Sequence, residues 1–149
     1  MKNTLFKVNH FCTVNGIDYV LTGTAALSVL GIPLRNRPAD LDILIVNPNS
    51  DSLNKLKDLE SLSGVTPVGY PDGRKCFTFY VNGDKVNAII SKKVPAGDAI
   101  TVSLIDEQTE QSHFIKVHRV HPALQAKMRL GRPKDSRFML EFINYLTSM

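Results

Sequence analysis

Two aspartates one residue apart, Asp40 and Asp42, open an apolar run that continues through Val46. Strand side chains alternate, so the two carboxylates share one face while Leu41 and Ile43 point to the other. Neighbouring carboxylates repel each other unless a cation lies between them, and a hard cation such as Mg²⁺ prefers oxygen ligands of this kind. Upstream, Gly23-Thr24 begins a short helical pattern one residue beyond the apolar run Tyr19, Val20 and Leu21. A helix start offers backbone N–H groups and a positive dipole end to an anion. Together these residues read as a place where a metal ion and a phosphate meet. Other chemistries find no support: there is no Gly-x-Ser-x-Gly elbow, no Gly-Lys-Ser/Thr phosphate loop and no Gly-x-Gly-x-x-Gly after a strand. His118 and His121 straddle a strand end before Pro122 with no cysteine nearby, which argues against zinc.

The elements that position these groups follow from periodicity. Leu5, Phe6, Val8, Phe11, Cys12 and Val14 form a helical stripe that stops at Asn15-Gly16. A strand over 17–21 leads into a helix over 24–30 that ends at Gly31 and Pro33, with Thr24 as a candidate N-cap. The run 41–46 reads as a strand buried on both faces. Asp51 or Ser50 can cap a helix that runs to about Leu62. Strands over 75–81 and 85–91 meet at Asn82-Gly83, the pair best suited to a type I′ turn. Further strands are expected over 100–105 and 113–120, then helices over 122–130 and 134–147, with Met139, Phe142, Ile143 and Leu146 on one face of the last. Tyr70, Phe77, Phe79 and Tyr80 read as core of the hairpin. The expectation is one α/β (α+β) domain over 1–149, with a mixed, mostly antiparallel central sheet of about five strands flanked by helices.

Bulk composition agrees: 43% apolar and 21% charged residues in 149 are enough for a core without disulfide or metal staples. Cys12 and Cys76 lack metal-ligand spacing and read as reduced core thiols. No apolar span is long enough to cross a bilayer, and Lys2, Lys7, Asn9 and His10 interrupt the N-terminal apolar pattern. A cytoplasmic protein with no membrane partner is expected. The charge surplus is only +4, yet Lys127, Arg129, Arg132, Lys134 and Arg137 crowd near the C-terminus. They read either as a solvated helix face or as an anion-binding surface. Asp40 and Asp42 likewise have a plain alternative, surface ion pairs with Arg35 and Arg37.

On these residues the chain resembles the nucleotidyltransferase superfamily, whose pattern is an apolar strand, Gly followed by Ser, Gly or Thr, a helix, then Asp-x-Asp leading another strand. Gly23-Thr24 and Asp40-Leu41-Asp42 match it, and Arg37 stands where small bacterial members often carry Arg. The tail, with Lys127, Arg132, Lys134 and Asp135, is similar to that of abortive-infection-type members, although Phe138 and Met139 stand where a second Asp is usual. The resemblance covers roughly 17–46, 85–91 and 117–147. It implies Mg²⁺ (or Mn²⁺) held by Asp40 and Asp42. It also implies a nucleoside triphosphate such as ATP against Gly23, Thr24, Arg37, Asn87, Lys127 and Lys134, with catalysis resting on the two aspartates. The acceptor would be an RNA end, a protein or a small-molecule hydroxyl.

The third carboxylate of that pattern is missing. Its position on the strand over 85–91 is Asn87, which has no negative charge and no basic function. Asp84 has the opposite strand parity and reads as part of the turn, and Asp98 falls in a loop. If a metal-bridging carboxylate contributes about 3–4 kcal/mol, asparagine costs about 10²–10³ in rate. Three functions follow: a weakened nucleotidyltransferase, a catalytically degenerate nucleotide- or partner-binding module of toxin–antitoxin type with a cognate protein, and an RNA-binding basic surface.

Overall fold

The chain runs α1 (Lys2–Val14), β1 (Tyr19–Thr22), α2 (Gly23–Val29), β2 (Asp40–Val46), α3 (Ser50–Leu62), β3 (Cys76–Val81), β4 (Asp84–Ser91), a 3-10 turn (Ala96–Asp98), β5 (Ala99–Ile105), β6 (Ser112–His118), α4 (Val120–Leu130) and α5 (Pro133–Thr147). This computed structural model describes residues 1–34, 37–66 and 69–147. Among them, six strands form one mixed sheet in the order β3-β4-β2-β1-β6-β5. The pairs β1–β2, β3–β4 and β5–β6 are antiparallel; β2–β4 and β1–β6 are parallel. Against the expected sheet of about five strands, all six strand-like runs join one sheet, with the β5–β6 hairpin added beside β1. No described helix is long and apolar enough to cross a membrane.

One face of the sheet makes the core. Leu21, Ile43, Ile45, Val86, Ala88 and Val117 pack against Leu5, Val8 and Cys12 of α1, Leu27 of α2 and Leu56 of α3. All are nearly or fully withdrawn from water, each Leu, Ile or Val side chain contributing about 1.5–3 kcal/mol. The 82–83 turn forms as its sequence dictates, with φ of +53° at Asn82 and +79° at Gly83. Tyr80 is half exposed and Tyr70 lies outside the hairpin, so only Phe77 and Phe79 of that aromatic set are core.

Several local expectations are corrected. The α3 cap is Asn49, whose side chain accepts from the Ser52 N–H at 2.8 Å; Ser50 and Asp51 are already helical, and Asp51 instead pairs with Lys55 at 2.9 Å. The cap of α2 is Thr22 rather than Thr24. Asp84 is the first residue of β4, opposite Val81, not a turn residue. Cys76 is half-buried rather than core; burial pushes its thiol up to about 11, and that of fully buried Cys12 to about 12. On α5, Phe142 is buried, but Ile143 and Leu146 face water. The outer edge of β3 is closed by α3: the Thr78 N–H donates to Glu60 at 2.8 Å and that of Tyr80 to Ser63 Oγ at 3.2 Å.

Candidate functional site

Register places a polar row across the sheet. Thr22 of β1 stands opposite Asp42 of β2, Asp42 opposite Asn87 of β4, and Asn87 opposite Thr78 of β3. His118 ends β6 on the far side of Thr22, and the Thr22 hydroxyl and His118 Nδ1 are 2.8 Å apart. Asp40 and Asp42 share a face, as their spacing requires. Between them sits Asn87: its Nδ2 donates to Asp42 Oδ1 at 2.9 Å and reaches Asp40 Oδ2 at 3.4 Å. The Thr78 hydroxyl donates to Asn87 Oδ1 at 3.0 Å, which holds the amide with its NH₂ toward the acids. Asn87 therefore contributes a donor where a third acceptor is expected. Burial raises the Asp42 pKa, and Asp40 raises it further against the opposing pull of Asn87, Arg132 and Lys127.

Gly23 faces this pair directly. Its φ is +66°, a left-handed conformation that disfavours other residues, and a Cβ there would stand 3.4 Å from Asp42 Oδ2. At Thr24, the hydroxyl accepts from Lys127 Nζ at 2.8 Å. Lys127 is buried on α4, its ammonium 3.5 Å from Asp135 and 4.4 Å from the Phe138 ring centre. Burial lowers its pKa, opposed by Asp135. Asp135 in turn receives two Arg132 guanidinium bonds, at 2.8 and 3.1 Å, and the Arg132 backbone N–H at 3.2 Å. The last of these is half of a capping box that starts α5. Burial pushes the Asp135 acid up, but the Arg132 and Lys127 charges override it and its pKa ends below the usual carboxylate range. The tail residues Lys127, Arg132 and Asp135 are thus one cluster that ties α4 and α5 to the start of α2.

A cleft of about 150 Å³ opens over this row, lined by Thr22, Gly23, Thr24, Asp42, His118 and Lys127 together with Tyr70, Arg74, Arg129 and Arg132. Since α2 has only seven residues, the anion attraction rests on these cations more than on its dipole. Two expected ligands lie elsewhere. Lys134 lines a separate groove next to the cleft, and so does Arg37, whose guanidinium is 72% exposed and 3.8 Å from Asp84. The surface pairing of Arg37 with the aspartates is thus not what forms, and Arg35 lies outside the described residues. Asp98 lines the cleft, far along the chain from the aspartate pair; His121 is exposed while His118 is buried, so the two histidines occupy different surroundings. Sequence reasoning missed Thr22, Tyr70 and Arg74. Thr22 enters through the β1–β2 pairing, which no local motif signals; Tyr70 and Arg74, whose guanidinium lies 5.5 Å from the Tyr70 ring centre, sit in a connection with no periodic signal.

The donor set admits a hard divalent ion of one kind. Mg²⁺ is commonly held by one or two carboxylates plus substrate phosphates, and Asp40 with Asp42 beside a cationic cleft supplies that. A second ion is a poorer fit, because the described residues bring no third acidic or histidine ligand to the pair and Asn87 aims a donor into it.

No family model matches the chain, and no curated protein matches it in sequence. Solved structures do match. The chain is similar to a Thermotoga maritima protein whose description as a nucleotidyltransferase is itself provisional, with a TM-score of 0.58, 15% identity, and coverage of 95% of this chain and 91% of that one. It is also similar to an antigenic nucleotidyltransferase-like protein from Paracoccidioides brasiliensis, with a TM-score of 0.51, 15% identity, and coverage of 94% and 72%. At such identity the likeness is one of fold: the chain has the nucleotidyltransferase fold.

Proposed function

We propose that the chain binds a nucleoside triphosphate, ATP among the candidates, with Mg²⁺ (or Mn²⁺) and transfers its nucleotidyl group slowly to a hydroxyl acceptor. The supporting observation is that Asp42 lies in the same cleft as Gly23, Lys127 and Arg132. In the reaction, an acceptor oxygen bonds to the α-phosphorus, the bond to the β-phosphate oxygen breaks, pyrophosphate leaves, and the hydroxyl proton passes to water. Asp40 and Asp42 would hold the ion, which supplies charge neutralisation at the phosphates when bound. Lys127, Arg129 and Arg132 neutralise the triphosphate, and Gly23 lets it approach the backbone. Tyr70 offers a ring at the cleft wall for the base. Tail features similar to abortive-infection-type members fit a small bacterial enzyme of this kind.

Asn87 favours a second reading, in which the same cleft binds nucleotide without turnover and serves a cognate protein partner. The test measures pyrophosphate release from each of the four triphosphates with Mg²⁺ or Mn²⁺, alongside thermal stabilisation by the nucleotide. Release that Asp42→Ala abolishes supports the enzyme. Stabilisation without release supports the binding module, and turnover gained by Asn87→Asp identifies it as a weakened active site. Neither signal in any condition refutes both.

A further inference from the structure

A second groove, of about 370 Å³, adjoins the cleft and shares Thr24 and Lys127 with it. Arg37, Lys134 and Arg137 line it along with Glu141. These cations come from three separate elements: the connection before β2, α4 and α5. The described lining thus sets four cations against one carboxylate, in a chain whose whole surplus is only +4. Buried Asp135 answers Lys127, and Asp84 reaches Arg37 only at 3.8 Å. Lys134 and Arg137 have no ion-pair partner among the described residues and are exposed.

Resting on the nucleotide reading above, we propose that this groove holds the acceptor, the end of a single-stranded polynucleotide. Its phosphodiester backbone runs past Arg137, Lys134 and Arg37, and its terminal hydroxyl points across Thr24 to the cleft. Three features favour a polynucleotide over an acidic protein surface. The unneutralised charges line a trough rather than a flat face. The trough leads to a site already built for phosphate. Its size suits the end of a flexible strand and not a duplex. Cations dominate the described lining, with the Phe138 ring beside them, so binding is expected to be governed by the backbone charge.

The test is fluorescence anisotropy of 5′-labelled twelve-nucleotide RNA and DNA strands on the full chain between 50 and 200 mM salt. Binding of either strand, weakening with salt, is expected. Each lost phosphate contact lowers the log–log salt slope by about 0.7, so K134A/R137A should reduce the slope by about 1.4 and weaken binding tenfold or more at low salt. The charge-matched control K55A/K57A, on α3, should stay within twofold. Thermal stabilisation by ATP and Mg²⁺ is read in parallel on every variant and should be unchanged by K134A/R137A, which separates failure of the groove from failure of the cleft. Absence of strand binding at 50 mM salt would overturn the proposal. Equal weakening by K55A/K57A would do the same, as would displacement of the strand by ATP and Mg²⁺, which would put it in the triphosphate cleft instead.

Discussion

Asp42 stands at a place that disfavours charge. Burial and the neighbouring Asp40 raise its pKa, and the Asn87 amide, Arg132 and Lys127 only partly compensate. An acid whose folded pKa is raised contributes stability that is complete below the unfolded value, near 3.8, and lost as pH rises through the folded one. At neutral pH the ionised group therefore costs stability. Asp42→Asn keeps an oxygen for the Asn87 NH₂ and removes the charge. It should raise stability by about 0.5–2 kcal/mol at pH 7, with the gain vanishing near pH 3, while stabilisation by ATP and Mg²⁺ is lost; thermal melts at both pH values, with and without nucleotide, measure this. Gly23→Ala acts in the other direction. The left-handed φ of +66° costs a side-chain-bearing residue about 1–2 kcal/mol, and the added methyl meets the Asp42 carboxylate. Urea unfolding should show that loss without a change in the slope of the transition.

At the scale of elements, apolar runs such as 41–46 and the Asn82-Gly83 turn announced their strands because a continuous apolar run and positive-φ residues are local properties. The Asp40–Asp42 pair was legible for the same reason: strand parity alone puts both on one face. Partner choice was not legible. That β1 lies between β2 and β6 is a pairing between residues far apart in sequence, and it carries Thr22 and His118 into the site without any motif. The α3 cap was misread because Asn49, Ser50 and Asp51 are all competent caps, and only the extended backbone at Asn49 decides among them. Resemblance puts Arg37 among the nucleotide ligands and simple proximity in sequence would pair it with the aspartates, whereas its guanidinium stands 3.8 Å from Asp84 at the start of β4. The cap assignment can be checked: Asn49→Ala should cost about 1 kcal/mol, or about 2–4 °C in melting temperature. Ser50→Ala should cost less than half of that, since its hydroxyl makes no cap bond.

For the whole molecule, these buried charges determine how the fold responds to acid, in two stages. His118 closes the polar row at the β1–β6 junction; burial lowers its pKa below the ordinary 6.5, and Asp98 pulls it partly back. The uncharged Thr22 hydroxyl holds its Nδ1. A histidine with a depressed folded pKa contributes stability that is present above 6.5 and lost as pH falls through the folded value. Asp135 adds the second stage. Its depressed acid stabilises above about 3.8 and gives way below that, when protonation breaks the bidentate contact with Arg132 and leaves Lys127 without its counter-charge. Asp42 works against both, since its protonation relieves a cost. The melting temperature should therefore decline as pH drops below about 6.5, with protonation of Asp42 opposing the decline, and then fall steeply below about 3.8 as Asp135 is protonated. His118→Asn, which keeps an amide near the Nδ1 position, should flatten the first decline and leave the second intact. Asp135→Asn should do the reverse, lowering stability at neutral pH and removing the steep loss below pH 4. If both variants kept the full two-stage profile, the titrating groups would lie elsewhere, and neither His118 at the β1–β6 junction nor Asp135 between α4 and α5 would set the response to acid.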